Sequence, residues 1–135
     1  KAQQPLTLVA DPRVLAAGVT QADMTAQYAH NLRVLELVND TNVAVARVKA
    51  AQAALKQQPD AAKQAALQAI AAKLLTPAVR YSPPGLDTHV RYLASQTADF
   101  DGPVGNQPTE RFGELRTAID AIVKELDAAL GPVKG

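Results

Sequence analysis

The apolar positions of the chain recur at helical spacing along most of its length. The last segment is the most regular: Phe112, Leu115, Ile119, Ile122, Leu126 and Leu130 step by three and four residues without a miss, which places them on one face of an α-helix. Thr109 or Asn106 can cap its start, and Gly131-Pro132 stops it. Glu110 and Glu114 sit near the positive end of its dipole. Arg116, Asp120 and Lys124 lie four apart and can pair along the outside.

A longer helix is predicted nearer the start of the chain. Thr20 can cap it, with Asp23 at the third helical position, and Val19 and Met24 have the spacing of a hydrophobic staple. No proline or glycine follows until Pro59, which allows about 38 helical residues, or about 57 Å. The expected buried stripe is Tyr28, Leu32, Leu35, Val38, Val45, Val48 and Leu55. Asn39-Asp40-Thr41-Asn42 is poor in helix propensity. Tertiary packing is expected to keep it helical.

Gln57-Gln58-Pro59-Asp60 breaks the pattern, and Asp60 can cap a second helix with Leu67, Ile70, Leu74 and Leu75 inward, ended by Pro77. A turn this short makes the two helices an antiparallel hairpin. Tyr81-Ser82-Pro83-Pro84-Gly85 must be extended or turn-like, and Leu86 to about Thr97 forms a third helix with Leu86, Val90 and Leu93 inward. The predicted fold is all-α: an antiparallel three- to four-helix bundle with a long first helix. The second and third helices are short enough to pack end to end against it. Residues 1–18 read as an extended linker or remnant strand, with a strand at Pro5-Leu6-Thr7-Leu8-Val9 and a turn at Asp11-Pro12. Residues 19–135 form the bundle domain.

Composition narrows the possible functions. There is no cysteine, which excludes disulfides, thiolate metal sites and cysteine nucleophiles. The 14 basic and 13 acidic residues nearly cancel, so no nucleic-acid footprint is visible. No run approaches the roughly 18 apolar residues of a membrane span. The chain begins at Lys1 without a signal-peptide pattern, as expected of a processed chain or a fragment. Alanine is abundant and aromatic residues make up 4%, which suggests helices that approach closely through alanine.

No set of residues assembles into a catalytic mechanism. His30 and His89 are the two histidines and sit on different predicted helices. His30 falls off the apolar stripe, which points to a surface or cap role. A haem or metal site would need a partner such as Met24, which the staple already explains. Asp99, Asp101 and Asn106 offer oxygen ligands at loop positions but lack the rest of a calcium loop, and turn formation explains them better. No cofactor or metal site is therefore assigned. Arg80, Tyr81, Arg91, Tyr92 and Phe100 gather arginines and aromatics in the irregular region, a composition enriched at interface hot spots. The plainer alternative is that the two tyrosines and Phe100 pin the loop onto the bundle.

Leu6-Thr7-Leu8-Val9-Ala10-Asp11-Pro12-Arg13-Val14, followed by Thr20-Gln21-Ala22-Asp23 and a long helix with Leu32-Arg33 and Asn39-Asp40, resembles the C-terminal region of bacterial exported proteins. Those proteins carry sortilin-like, BNR (Asp-box) β-propellers and are often labelled glycosyl hydrolases. The last helix, from Pro108-Thr109-Glu110 to Leu130, fits the same region. The resemblance implies a secreted or periplasmic accessory module whose initial strand belonged to a preceding β-sandwich. The hydrolase label belongs to the propeller, and no catalytic residue transfers. The expected role is a non-catalytic interaction module, with a companion β-domain of the same polypeptide or a second copy as partner. A small-ligand- or metal-binding bundle is the alternative, motivated by room between alanine-lined helices.

Overall fold

The structure, a computed structural model, describes residues 9–99 and 101–132. It is all-helical: α1 (Pro12–Ala16), α2 (Gln21–Gln57), α3 (Ala61–Leu74), α4 (Leu86–Ala98) and α5 (Asn106–Leu130). No strand occurs among the described residues. Residues 5–8 of the expected N-terminal strand lie outside the described part, and the segment after them is not extended. The Asp11 side chain accepts from the Arg13 N–H, and Pro12 occupies the first turn, so the expected turn is the start of a short helix.

The long helix is α2, and its capping box is complete. Thr20 Oγ1 accepts from the Asp23 N–H at 3.1 Å while Asp23 Oδ2 accepts from the Thr20 N–H at 2.9 Å. Val19 and Met24 are both half-buried beside it. α3 and α4 run back along α2 end to end, and α5 then returns parallel to it. Thr97 at the end of α4 meets Gln27 and Asn31 near the start of α2. Arg47 in the second half of α2 pairs with Asp127 near the end of α5 at 2.8 Å. The result is an up-down-up bundle of three rods, the middle one broken.

The break is a built joint. Thr76 Oγ1 accepts from the Gly85 N–H at 2.9 Å, and the Asp87 carboxylate accepts from both the Thr76 N–H and its hydroxyl. Gly85 lies so close to the end of α3 that a Cβ there would stand 2.5 Å from the Leu75 carbonyl carbon. That closeness lets α4 continue the line of α3 across a proline-rich loop.

The first half of α2 buries a face other than the expected stripe. Tyr28, Leu32 and Leu35 are exposed, whereas Gln27, His30, Val34, Leu37, Thr41 and Ala44 are buried; of the expected residues, Val48 is in the core and Val38, Val45 and Leu55 pack against it. Ala51 and Leu55 continue the same three-four rhythm at the edge of the core. α2 is apolar on two opposite sides, so hydrophobicity alone does not choose between them. The expected side would place two amides, Asn39 and Asn42, in mid-core. The observed side places there only Thr41, whose hydroxyl donates to the Leu37 carbonyl at 2.7 Å and so needs no outside partner. Burying an unpaired amide costs about 1–3 kcal/mol, a cost the observed face avoids in mid-helix and meets only nearer its start, at His30.

The other helices bury the expected side chains: Leu67, Ile70 and Leu74 from α3, Val90 and Leu93 from α4, Leu115, Ile119, Ile122 and Leu126 from α5. Phe112 packs at the rim of this core and Leu130 is exposed. Helix approach through alanine is not what holds the bundle. Ala44 is in the core, but most alanines of α2 and α3 face outward. Those alanines support the helices by propensity, and Leu, Ile and Val supply the packing. α5 begins at Asn106 behind Gly105 with no side-chain cap, so neither Thr109 nor Asn106 caps it. Pro108 is tolerated because its position falls in the first turn, where N–H groups have no helical partner.

Candidate interaction surfaces

Four groups of side chains stand out from the folded bundle. The first is the arginine–aromatic group expected from sequence. Arg80 lies over the Tyr81 ring at 4.9 Å, and Tyr81 takes a left-handed backbone, φ 63°, while 89% exposed. Ser82 Oγ donates to the carbonyls of Pro77 and Val79 and closes this loop on itself. Arg91 and Tyr92 stand on α4, apart from that loop, and Tyr92 is also exposed. Tyr92 lines a shallow groove between α4 and the start of α5 with His89, Gln96, Pro108 and Arg111. Phe100 lies outside the described residues. Both tyrosines are exposed and stand on different elements, Tyr81 in the α3–α4 loop and Tyr92 on α4.

The second group is a buried polar cluster near the start of α2. His30, expected at the surface, is 1% exposed. Its ring meets Phe112 edge-on, and the Arg33 guanidinium lies over the same phenyl ring, 5.2 Å from its centroid. Asn31 Nδ2 donates to the Thr97 carbonyl at 3.0 Å, with Gln27 Nε2 at 3.4 Å from the same oxygen. Neither nitrogen of His30 has a hydrogen-bond partner among the described residues. Burial, and then the nearby Arg33 charge, push the His30 pKa below its ordinary value. A neutral, desolvated imidazole without an acid, a nucleophile or a second ligand beside it has no mechanism to serve.

The third group is ionic. Arg116 of α5 bonds both Asp120 on its own helix and Asp40 of α2, which raises its pKa further above its ordinary value. Lys73 of α3 pairs with Glu125 of α5 at 2.8 Å. Each positive charge already has its carboxylate, so these groups join helices and offer no open anion site. No group of three or more His, Asp or Glu side chains that could hold a metal ion occurs among the described residues.

The fourth group is the side of α2 that faces away from the bundle. Tyr28 is 66% exposed, Leu32 44%, Leu35 55% and Val43 52%. Leu35 also forms the lip of a shallow apolar groove with Val38, Ala94 and Ala98. α2 packs against α3, α4 and α5 on its other side, so this apolar row is displayed on a helix anchored in the bundle. The sequence pattern predicts Tyr28, Leu32 and Leu35 in the core. The signal that could have exposed the error is the unbroken three-four rhythm of 27, 30, 34, 37, 41, 44 and 48, which polar members obscured. No helix among the described residues is long and apolar enough to cross a membrane.

No model of a known protein family, no curated protein and no solved structure matches the chain.

Proposed function

We propose that the chain is a non-catalytic interaction module that binds a protein partner through the outward face of α2. The observation that carries this reading is the row Tyr28, Leu32, Leu35 and Val43, exposed on a helix whose opposite side already fills the core. Large apolar side chains grouped on one rigid surface are a mark of protein–protein contact. His30 is buried without a polar partner and Arg116 and Lys73 are already paired with carboxylates, which favours binding over catalysis. The resemblance carried by Asp11-Pro12-Arg13-Val14 supports an exported bacterial setting, with a propeller domain on the same polypeptide.

The test is association. Light scattering of the chain alone, and titration against a companion domain from the same polypeptide, should give a complex in at least one case. Substituting Leu32→Glu with Leu35→Glu should abolish it while circular dichroism stays helical. A chain that stays monomeric and binds no companion domain refutes the reading.

A further inference from the structure

The outward face of α2 has an internal order beyond being apolar. Tyr28, Leu32 and Leu35 occupy its first half, Ala46, Ala50 and Ala53 its second, and Asn39 and Asn42 lie between. All eight are exposed and fall within about 100° of helical arc. They step by four and three residues, the rhythm of a helix–helix seam. Large residues fill one end of the seam and small residues the other.

We infer that this face pairs with the same face of a second copy of the chain, the two α2 helices running antiparallel about a two-fold axis between residues 40 and 41. The inference rests on the interaction-module reading above and names its partner. In that register Tyr28 lies opposite the partner's Ala53 and Leu35 opposite the partner's Ala46, and Leu32 falls within one residue, about 1.5 Å along the axis, of the partner's Ala50. Each large side chain meets a small one, and the two-fold repeats every contact on the other side. Asn39 meets the partner's Asn42 at the centre, where paired amides fix register. Parallel pairing would set leucine on leucine at one end and alanine facing alanine across a gap at the other.

Charge agrees with this arrangement. Glu36 borders the seam, and the two-fold keeps the copies of Glu36 about 13 Å apart along the axis, beyond a Debye length of about 8–10 Å. The helices α3, α4 and α5 pack against the opposite side of α2, and the eight seam residues are exposed among the described residues. The seam from Tyr28 to Ala53 is about 38 Å long.

The natural absence of cysteine makes disulfide trapping a direct test. Two variants are made, Leu32→Cys and Ala50→Cys, both at exposed positions, and each is oxidised alone and after mixing. Antiparallel pairing predicts a covalent dimer in the mixture and none from either variant alone, because like positions would lie about 26 Å apart, far beyond disulfide reach. Sedimentation of the unmodified chain should show a dimer, and Leu32→Glu with Leu35→Glu should weaken it about 100-fold or more by burying charge. Disulfides formed by either variant alone, or a monomer at the highest soluble concentration, overturn the inference. A monomer that still loses a companion domain on Leu35→Glu would refute the dimer and leave the interaction-module reading standing.

Discussion

His30 of α2 and Phe112 of α5 pack edge to face, ring centroids 5.9 Å apart at 64°, and this contact joins two rods near their starts through a titratable group. The imidazole is buried with neither nitrogen paired among the described residues. Its pKa is lowered by burial and then by Arg33, whereas in the unfolded chain it returns to about 6.5. Above that value both states are neutral and the group leaves stability unchanged. As pH falls through 6.5 the unfolded chain takes up the proton first, so stability declines until the lower, folded pKa is reached. The slope in that window is at most about 1.4 kcal/mol per pH unit. Thermal unfolding at pH 7.5 and pH 5 should show the loss, and His30→Leu should remove most of it. Asp11, Asp23 and Asp60, whose pKa values are also lowered, lose their contribution only at more acid pH and do not confuse the comparison. An equal pH response in the variant would mean that His30 is not the group responsible.

Gly85→Ala should destabilise the chain by about 1–3 kcal/mol, the usual cost of overpacking. The added methyl would meet the Leu75 carbonyl carbon at 2.5 Å and the Leu74 oxygen at 2.7 Å, both backbone atoms that cannot turn aside. Urea unfolding measures the change. A shift within error would show that the α3–α4 joint is looser than its geometry indicates.

Tyr81→Gly should act in the opposite direction. A tyrosine at φ 63° carries a left-handed backbone cost of about 1–2 kcal/mol, of which the greater freedom of unfolded glycine cancels about 0.5–1 kcal/mol. The exposed ring adds no core contact to lose. A higher melting temperature is expected, and a lower one would show that the stacking of Arg80 on Tyr81 outweighs the strain.

The choice of face on α2 can be checked with two leucines two residues apart. Leu37→Ala empties a core position and should cost about 2–5 kcal/mol. Leu35→Ala removes an exposed side chain and should change monomer stability by no more than about 0.5 kcal/mol in dilute solution. Similar costs at both positions would mean that the helix is rotated from the orientation described.

Exchanging large for small across the seam tests the dimer by restoration. Leu35→Ala should weaken association by removing a knob, and Ala46→Leu should weaken it by crowding the same contact. The double variant interchanges the two partners and should recover most of the affinity in sedimentation equilibrium. Additive losses would argue against Leu35 facing the partner's Ala46.

The positions of the helices were written locally. Thr20 and Asp23 close a capping box, Asp60 accepts from the Lys63 N–H, and Gly131 ends α5 with φ 86°. Each is a short-range bond or a backbone preference that neighbouring residues determine. The inward residues of α3, α4 and α5 were legible for a similar reason, since each of those helices has one apolar side. The sequence by itself therefore determined an all-helical bundle, its element order and most of its core. What only the tertiary structure decided was the rotation of α2, and with it every candidate site. His30 went from expected surface to core, and Tyr28, Leu32 and Leu35 went from expected core to display. Arg80 and Tyr81 were separated from Tyr92 by the α3–α4 joint. A helix apolar on two sides has two nearly equal solutions on its own. The difference comes from what faces it: α4 and α5 accept Thr41 and Ala44 in mid-core and exclude Asn39 and Asn42, and that choice leaves the large-to-small row of α2 for something outside the bundle.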